Sequence, residues 1–311
     1  MQSLMKLNQY QSMKKLIVVF IILVTSATLF SCEDYDDNAV PPKLIIKFKF
    51  DPTQARLDNF GQPSTLAAGH AAQSPIFNTI SSHYIEFAPN ENTQLGAGQI
   101  VYHGAETTAG GANAIDFSQA KIVAEGETFL EIPLSQLAAG TYEWIRVSLS
   151  YQNYQINIRK PSSSLEYPGT LASFVGFNTY IGTSSIGNVF FPVNGNKPQG
   201  YWQFALNDYP YSDSGQAPAG ATTVPNPLSA TSPIPLNSCV VTGKFSTPLT
   251  ITGVDKKNVV ITLSLSTNNS FEWIDTNGNG KYDPSEGENV VDMGLRGLVP
   301  SYTYTNSISN Q

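Results

Sequence analysis

Apolar and polar residues alternate with period two along most of the chain beyond residue 43. Leu44, Ile46, Phe48 and Phe50 share one face of an extended segment, and Ile45, Lys47 and Lys49 share the other. Ile145, Val147, Leu149 and Tyr151 alternate with Arg146, Ser148 and Ser150, and Val259, Ile261, Leu263 and Leu265 alternate with Val260, Thr262, Ser264 and Ser266. Successive side chains of a strand point to opposite faces, so each run predicts an antiparallel strand, apolar toward a core and polar toward water. Further strands are expected at 83–87, 99–103, 121–123, 128–132, 154–159, 173–181, 189–193, 201–206 and 239–245. Residues 134–137 read as a single helical turn stopped by Gly140. Short strands separated by Gly, Pro, Asn and Ser predict an all-β fold: an antiparallel β-sandwich, Greek-key or jelly-roll-like, with long Pro/Gly-rich loops.

Pro218, Pro225, Pro227, Pro233 and Pro235 exclude a central strand between 212 and 237, because each proline removes a ladder donor. An interdomain linker or a long loop over one domain satisfies that composition, and the loop is the better fit. About three strands follow, too few for an independent sheet. The last strands are therefore expected to complete the sandwich begun near Leu44, in one domain over 43–300 followed by a tail at 301–311.

The first 31 residues follow another pattern. Lys14 and Lys15 precede an apolar run, uninterrupted over 16–23, and Ser31-Cys32 closes it. A cationic start, an apolar stretch and a small residue before the cut describe a cleaved export signal, forming a signal helix. The run is shorter than the roughly 20 residues needed to span a bilayer. Met13 offers an alternative start, since MKKLIVVFIIL is itself a complete signal. Leu29-Phe30-Ser31-Cys32 resembles the bacterial lipobox, which implies cleavage before Cys32 and a lipid on its thiol. Residues 32–42 read as a flexible tether, and its Glu33-Asp34-Tyr35-Asp36-Asp37 is similar to the export tag of surface-exposed lipoproteins of the Bacteroidota. That resemblance implies an outer-membrane address facing the exterior, with the membrane engaged through Cys32.

Formal net charge is −7, and removing a signal with three lysines and no acid takes it to −10. Such a balance argues against nucleic acid or an anionic membrane face as partner. Of two cysteines, Cys32 is assigned to the lipid, which leaves Cys239 without an intramolecular disulfide partner. Cys239, within an apolar strand, reads as a small buried hydrophobe.

Residues 275–286 carry the strongest chemical motif. Asp275, Asn277 and Asn279 stand at positions one, three and five, the Lys281 carbonyl at seven, Asp283 at nine and Glu286 at twelve, with Gly280 at the sharp turn. This spacing wraps oxygen ligands around Ca²⁺, and three carboxylates leave a net −1. The alternative is an Asn-Gly hairpin turn. A strand-like Phe271-Glu272-Trp273-Ile274 before the loop and Pro284 with Gly287 after it exclude helical flanks. The loop resembles the isolated EF-hand-like calcium loops of extracellular β proteins and dockerins, implying a structural ion. The block from Phe271 to Asp275, continuing through Val291-Asp292-Met293-Gly294, likewise resembles Bacteroidota surface lipoproteins.

His70, His83 and His103 fall within 34 residues, and Glu86 and Glu106 lie three positions beyond two of them. Imidazoles on strands suit copper or zinc, so the three histidines are a candidate transition-metal site, against a reading as hydrogen-bonded surface groups. Phe48-Lys49-Phe50-Asp51 and Ala139-Gly140-Thr141-Tyr142 resemble the periplasmic copper-binding proteins associated with methanobactin, without a shared ligand motif. G-x-S-x-G, H-E-x-x-H, a phosphate loop and spaced CxxC pairs are absent, and Glu125, Glu127 and Glu131 are the carboxylates considered for a glycosidase pair. No catalytic activity is expected. Aromatics make up 11% of the chain, and Tyr201, Trp202, Tyr209, Tyr211, Tyr151 and Tyr154 are candidate stacking platforms. These residues point to a calcium-stabilised surface protein whose ligand is a glycan or a partner protein. Transition-metal binding is the alternative, with a surface hydrolase behind it.

Overall fold

The described residues form eighteen strands and no α-helix, the long ones, such as Lys43–Asp51 and Lys257–Ser266, from β-branched and aromatic or aliphatic residues at alternate positions. The computed structural model describes residues 40–307 except 59, 60, 161, 163, 219–231 and 233. The signal segment, Cys32 and its acidic followers lie outside them. In chain order the strands are β1 (Lys43–Asp51), β2 (His70–Gln73), β3 (Ile76–Ala88), β4 (Gln99–His103), β5 (Glu106–Thr107), β6 (Ala114–Asp116), β7 (Thr128–Pro133), β8 (Gly140–Lys160) and β9 (Leu165–Phe174). They continue with β10 (Asn178–Ile186), β11 (Val189–Pro198), β12 (Tyr201–Leu206), β13 (Ser212–Gln216), β14 (Cys239–Ile251), β15 (Lys257–Ser266), β16 (Phe271–Ile274), β17 (Val290–Met293) and β18 (Arg296–Asn306). Leu134–Gln136 forms a 3-10 turn where the sequence predicts one helical turn.

The fold is an all-β sandwich. One layer is the sheet β18-β15-β1-β7, and the other is β13-β12-β9-β8-β3-β4, with β14 also paired to β8. Leu44, Ile46, Phe48 and Phe50 of β1 and the odd positions 259–265 of β15 face Ile145, Val147 and Leu149 of β8 and Val241 of β14 in the principal core. Burying one such side chain contributes about 1.5–3 kcal/mol. The late strands do complete the early sheet, but β15 lies parallel to β1, with Leu44 opposite Val259. Only a long crossover can make that pairing, and the chain between Asp51 and Lys257 supplies it. β18 runs to Asn306 and pairs with β15 throughout, so residues 301–306, assigned to a tail by sequence, are strand.

Two small sheets cap the sandwich. β17-β16-β2 buries Phe271, Trp273 and Met293 against Tyr154, Ile156 and Phe204, and β11-β10-β6-β5 buries Ile181 with Tyr151, Phe174 and Tyr201. The stretch 173–181 is two strands, because the chain turns at Gly176, where a Cβ would stand 2.3 Å from Ile115 Cδ1. Residues 121–123 contribute only a bridge between Val123 and Ile80. Arg146, Ser148 and Ser150, expected at water, are buried. Leu95 and Ile234 pack on that face against Tyr84 and Val240, the cross-strand partner of Ser148, and Arg146 reaches the Thr93 carbonyl at 2.6 Å. Before the undescribed part of the proline-rich stretch, β13 takes the edge of its sheet, where a ladder donor is dispensable.

Candidate functional site

β12 buries Tyr201 in one cluster and, on its opposite face, Phe204 in another, and on the Phe204 face Trp202 lies half-buried over Gly215 of β13, its cross-strand partner. A Cβ on Gly215 would stand 2.7 Å from the indole, so the glycine makes room for the ring. The β12–β13 connection exposes Tyr209 and Tyr211 at 55% and 50%. Tyr167 on β9 meets Tyr209 edge to face at 5.1 Å. Two adjoining cavities run along these rings. One, of about 280 Å³, is lined by Trp202, Tyr211, Asp213, Gln216 and Tyr282. The other, of about 540 Å³, is lined by Tyr167, Tyr209, Tyr211 and Lys160. Ile158, Tyr211, Asp213 and Pro284 line both, which makes one groove. Of the sequence-predicted platforms, Trp202, Tyr209 and Tyr211 meet there, whereas Tyr151, Tyr154 and Tyr201 are buried in the cores. Tyr167, Asp213 and Gln216 were not singled out, since only the strand order brings them to the groove.

Pro284 and Tyr282 tie the groove to the 275–286 loop, which leaves β16 and ends in a 3-10 turn at Pro284–Glu286. Gly278 and Gly280 take φ of +70° and +69°, the conformation the sharp turn needs. Asp275 accepts from Asn279 N at 3.2 Å and Gly280 N at 3.0 Å. The Asn277 and Asn279 side chains converge on Asp283 Oδ2 at 2.8 and 2.7 Å. Asp283 is fully buried, and Arg159 Nη1 lies 3.0 Å from its Oδ2. Burial raises the Asp283 pKa, but the bonds from Asn277, Asn279 and Arg159 prevail and hold it below the usual carboxylate range. Glu286, at position twelve, is exposed. Glu288 is the buried acid instead, accepting from Asp283 N at 2.8 Å and Thr276 N at 3.2 Å. Burial, with Asp283 and Asp275 nearby, pushes Glu288 upward. The motif ends two residues before Glu288, so spacing alone did not mark it.

The histidines do not form one cluster. His70, on β2, holds Glu272 through Nδ1 at 2.5 Å, and Arg56 binds the other carboxylate oxygen. Pairing of β2 with β16 places Ile274 opposite His70 and carries the ring to that buried acid. His83 and His103 come together on β3 and β4, with ring centroids 4.8 Å apart. The third member of their group is Glu106, not His70. Burial foremost, then the charge of His103, lowers the His83 pKa to about 4, which keeps that imidazole neutral. Glu125 accepts from Phe50 N, Glu127 from Ala124 N, and Glu131 pairs with Lys43, so these three acids hold turns and strand ends.

Among known proteins, no family model, no curated protein and no solved structure matches this chain.

Proposed function

We propose that this is a lipid-anchored, non-catalytic surface protein that binds a glycan in the groove between Trp202 and Tyr209, with calcium as a structural ion in the 275–286 loop. The observation that carries the ligand reading is the convergence of Trp202, Tyr167, Tyr209 and Tyr211 on one groove with Asp213 and Gln216 among them. Aromatic faces stack on the C–H faces of sugar rings, while a carboxylate and an amide bond hydroxyls and fix orientation. Exposed Tyr and Trp in such a place are also the usual binding anchors. The anchor rests on the run ending in Ser31-Cys32, and the exterior address on the four acids that follow.

The loop suits calcium because its acids crowd without enough positive charge. Asp275, Asp283 and Glu288 gather around one turn, and Arg159 is the cation in contact with Asp283. Asn277 Oδ1 and Asn279 Oδ1, which accept from Asn279 N at 3.1 Å and Lys281 N at 2.6 Å, are the further side-chain oxygens that calcium would draw on. Bound calcium would supply the missing charge and fix the loop that forms one wall of the groove.

Affinity electrophoresis through gels containing neutral or acidic polysaccharides tests the ligand. Retardation of wild type by at least one polysaccharide is expected, with Trp202→Ala and Tyr211→Ala each weakening it about tenfold or more, equivalent to 1.4 kcal/mol. Unretarded wild type, or variants retarded as strongly as wild type, would show that the groove does not bind glycans.

A further inference from the structure

His83 sits in a β-bulge. Across β3 and β8, Ser82 pairs with Leu149 and Tyr84 with Ser148, which leaves His83 as the extra residue. Bulges re-aim side chains, and here the imidazole points toward the end of β4. Tyr84 pairs with His103, and Gly104 N donates to the His83 carbonyl at 2.6 Å, so the chain leaving β4 passes directly beside the ring. Two residues on, Glu106 opens β5, and its Oε1 stands 2.9 Å from His83 Nε2 and 3.2 Å from His103 Nε2. Asn113 Nδ2 holds the other carboxylate oxygen at 2.6 Å, and Asn178 in turn binds the Asn113 carbonyl at 2.9 Å.

We propose that His83 Nε2, His103 Nε2 and Glu106 Oε1 form a three-ligand site for a zinc-class divalent metal, with the fourth position open to solvent. Tetrahedral bonds of about 2.0–2.1 Å put ligand atoms roughly 3.3–3.4 Å apart. The two contacts with Glu106 need to open by a few tenths of an ångström, and the two imidazole nitrogens, within 4.8 Å of each other, need to close by up to about 1.5 Å through tilting of the exposed His103 ring. Two imidazoles and a carboxylate suit Zn²⁺, whereas Cu⁺ prefers thiolate or thioether, which this group lacks. Side-chain exposure rises from 0% at His83 through 25% at Glu106 to 44% at His103, so the open position lies on the His103 side. Asn113 is a positioning residue, fixing which carboxylate oxygen faces the rings. Metal on Nε2 places the proton of the neutral imidazole on Nδ1, which is buried without a partner, so metallation carries the cost of one unpaired N–H.

The test is titration of the full chain with Zn²⁺ by calorimetry and with Co²⁺ by visible absorption, in excess Ca²⁺ to occupy the acidic loop. One equivalent should bind, with the intense d–d bands of a four-coordinate Co²⁺ site. Loss of an outer-shell partner costs 10–100-fold in metal affinity, so Asn113→Ala should weaken binding about tenfold, and loss of a ligand in His103→Ala or Glu106→Gln about 100-fold or more. His70→Ala should bind as wild type. Both ligand substitutions lie at partly exposed side chains, and unchanged melting curves would confirm that the variants fold. Absence of Zn²⁺ binding, full affinity in His103→Ala and Glu106→Gln, or equal loss in His70→Ala would each overturn the assignment. Polysaccharide binding is read separately, so failure here leaves the groove untouched.

Discussion

Glu86 and Arg146 face each other on β3 and β8, and everything around them is committed to that pairing. Glu86 Oε1 accepts from Arg146 at 2.8 Å, its Oε2 accepts from Tyr84 Oη at 2.7 Å and Gly96 N at 2.9 Å, and the guanidinium spends a second nitrogen on Thr93. Removing one partner strands a buried charge, at a typical loss of about 3–5 kcal/mol, whereas removing both leaves no unpaired charge. Glu86→Leu should therefore fall by about that amount in urea unfolding, and Glu86→Leu with Arg146→Leu should recover part of it. A double variant no more stable than the single one would contradict the coupling. At this scale the sequence was half legible. Alternation separated Ile145, Val147 and Leu149 from Arg146, Ser148 and Ser150, and the first three are core. It said nothing of a second covering layer, because a period of two distinguishes faces but not what packs on them. His103 and Glu106 were visible as a spacing of three, but their meeting with His83 depends on strand register and a bulge.

The turn at 275–286 was readable in the sequence, since the Asp, Asn and Gly residues that shape it lie within twelve positions, although Asp283 also takes a partner from β8 in Arg159. Its exit was less readable. The 3-10 turn at Pro284–Glu286 leaves Glu286 outside, and Gly287, at φ +81°, turns the chain so that Glu288 enters. If calcium occupies the loop at 100 times its dissociation constant, it stabilises the fold by about 2.7 kcal/mol. For a domain of this size that corresponds to a melting shift of roughly 5–10 °C between calcium and chelator. Asp275→Ala should abolish the shift. Comparing Glu286→Ala with Glu288→Ala identifies the acid that closes the site, and the buried position of Glu288 predicts the larger loss there. An unchanged melting temperature in chelator would remove calcium from the loop.

Across the whole molecule, three apolar clusters share one long strand. β8 gives Ile145, Val147 and Leu149 to the principal core, Tyr151 to the cluster with Phe174, and Tyr154 and Ile156 to the cluster with Trp273. The groove opens over the last of these, where the loop after β16 meets the edge formed by β12 and β13. Trp202, Tyr209 and Tyr211 were visible as candidates in sequence, but their separation from the buried Tyr201 and their meeting with Tyr167 were not. Tyr201 and Trp202 are neighbours with opposite fates, because adjacent strand positions point to opposite faces, and Tyr167 joins Tyr209 only through the order β13-β12-β9. The chain has three tryptophans, and they differ usefully in place. Trp273 is buried, Trp144 lies near Lys244 with 5.5 Å between the ammonium and the ring, and Trp202 lines the groove. The most direct measurement of the central claim is therefore the indole N–H resonances of the ¹⁵N-labelled protein during titration with the polysaccharide that retards it. The Trp202 signal should move saturably while those of Trp144 and Trp273 stay in place. Movement confined to Trp144 or Trp273, or no movement of Trp202 at saturation, would contradict a glycan site in this groove.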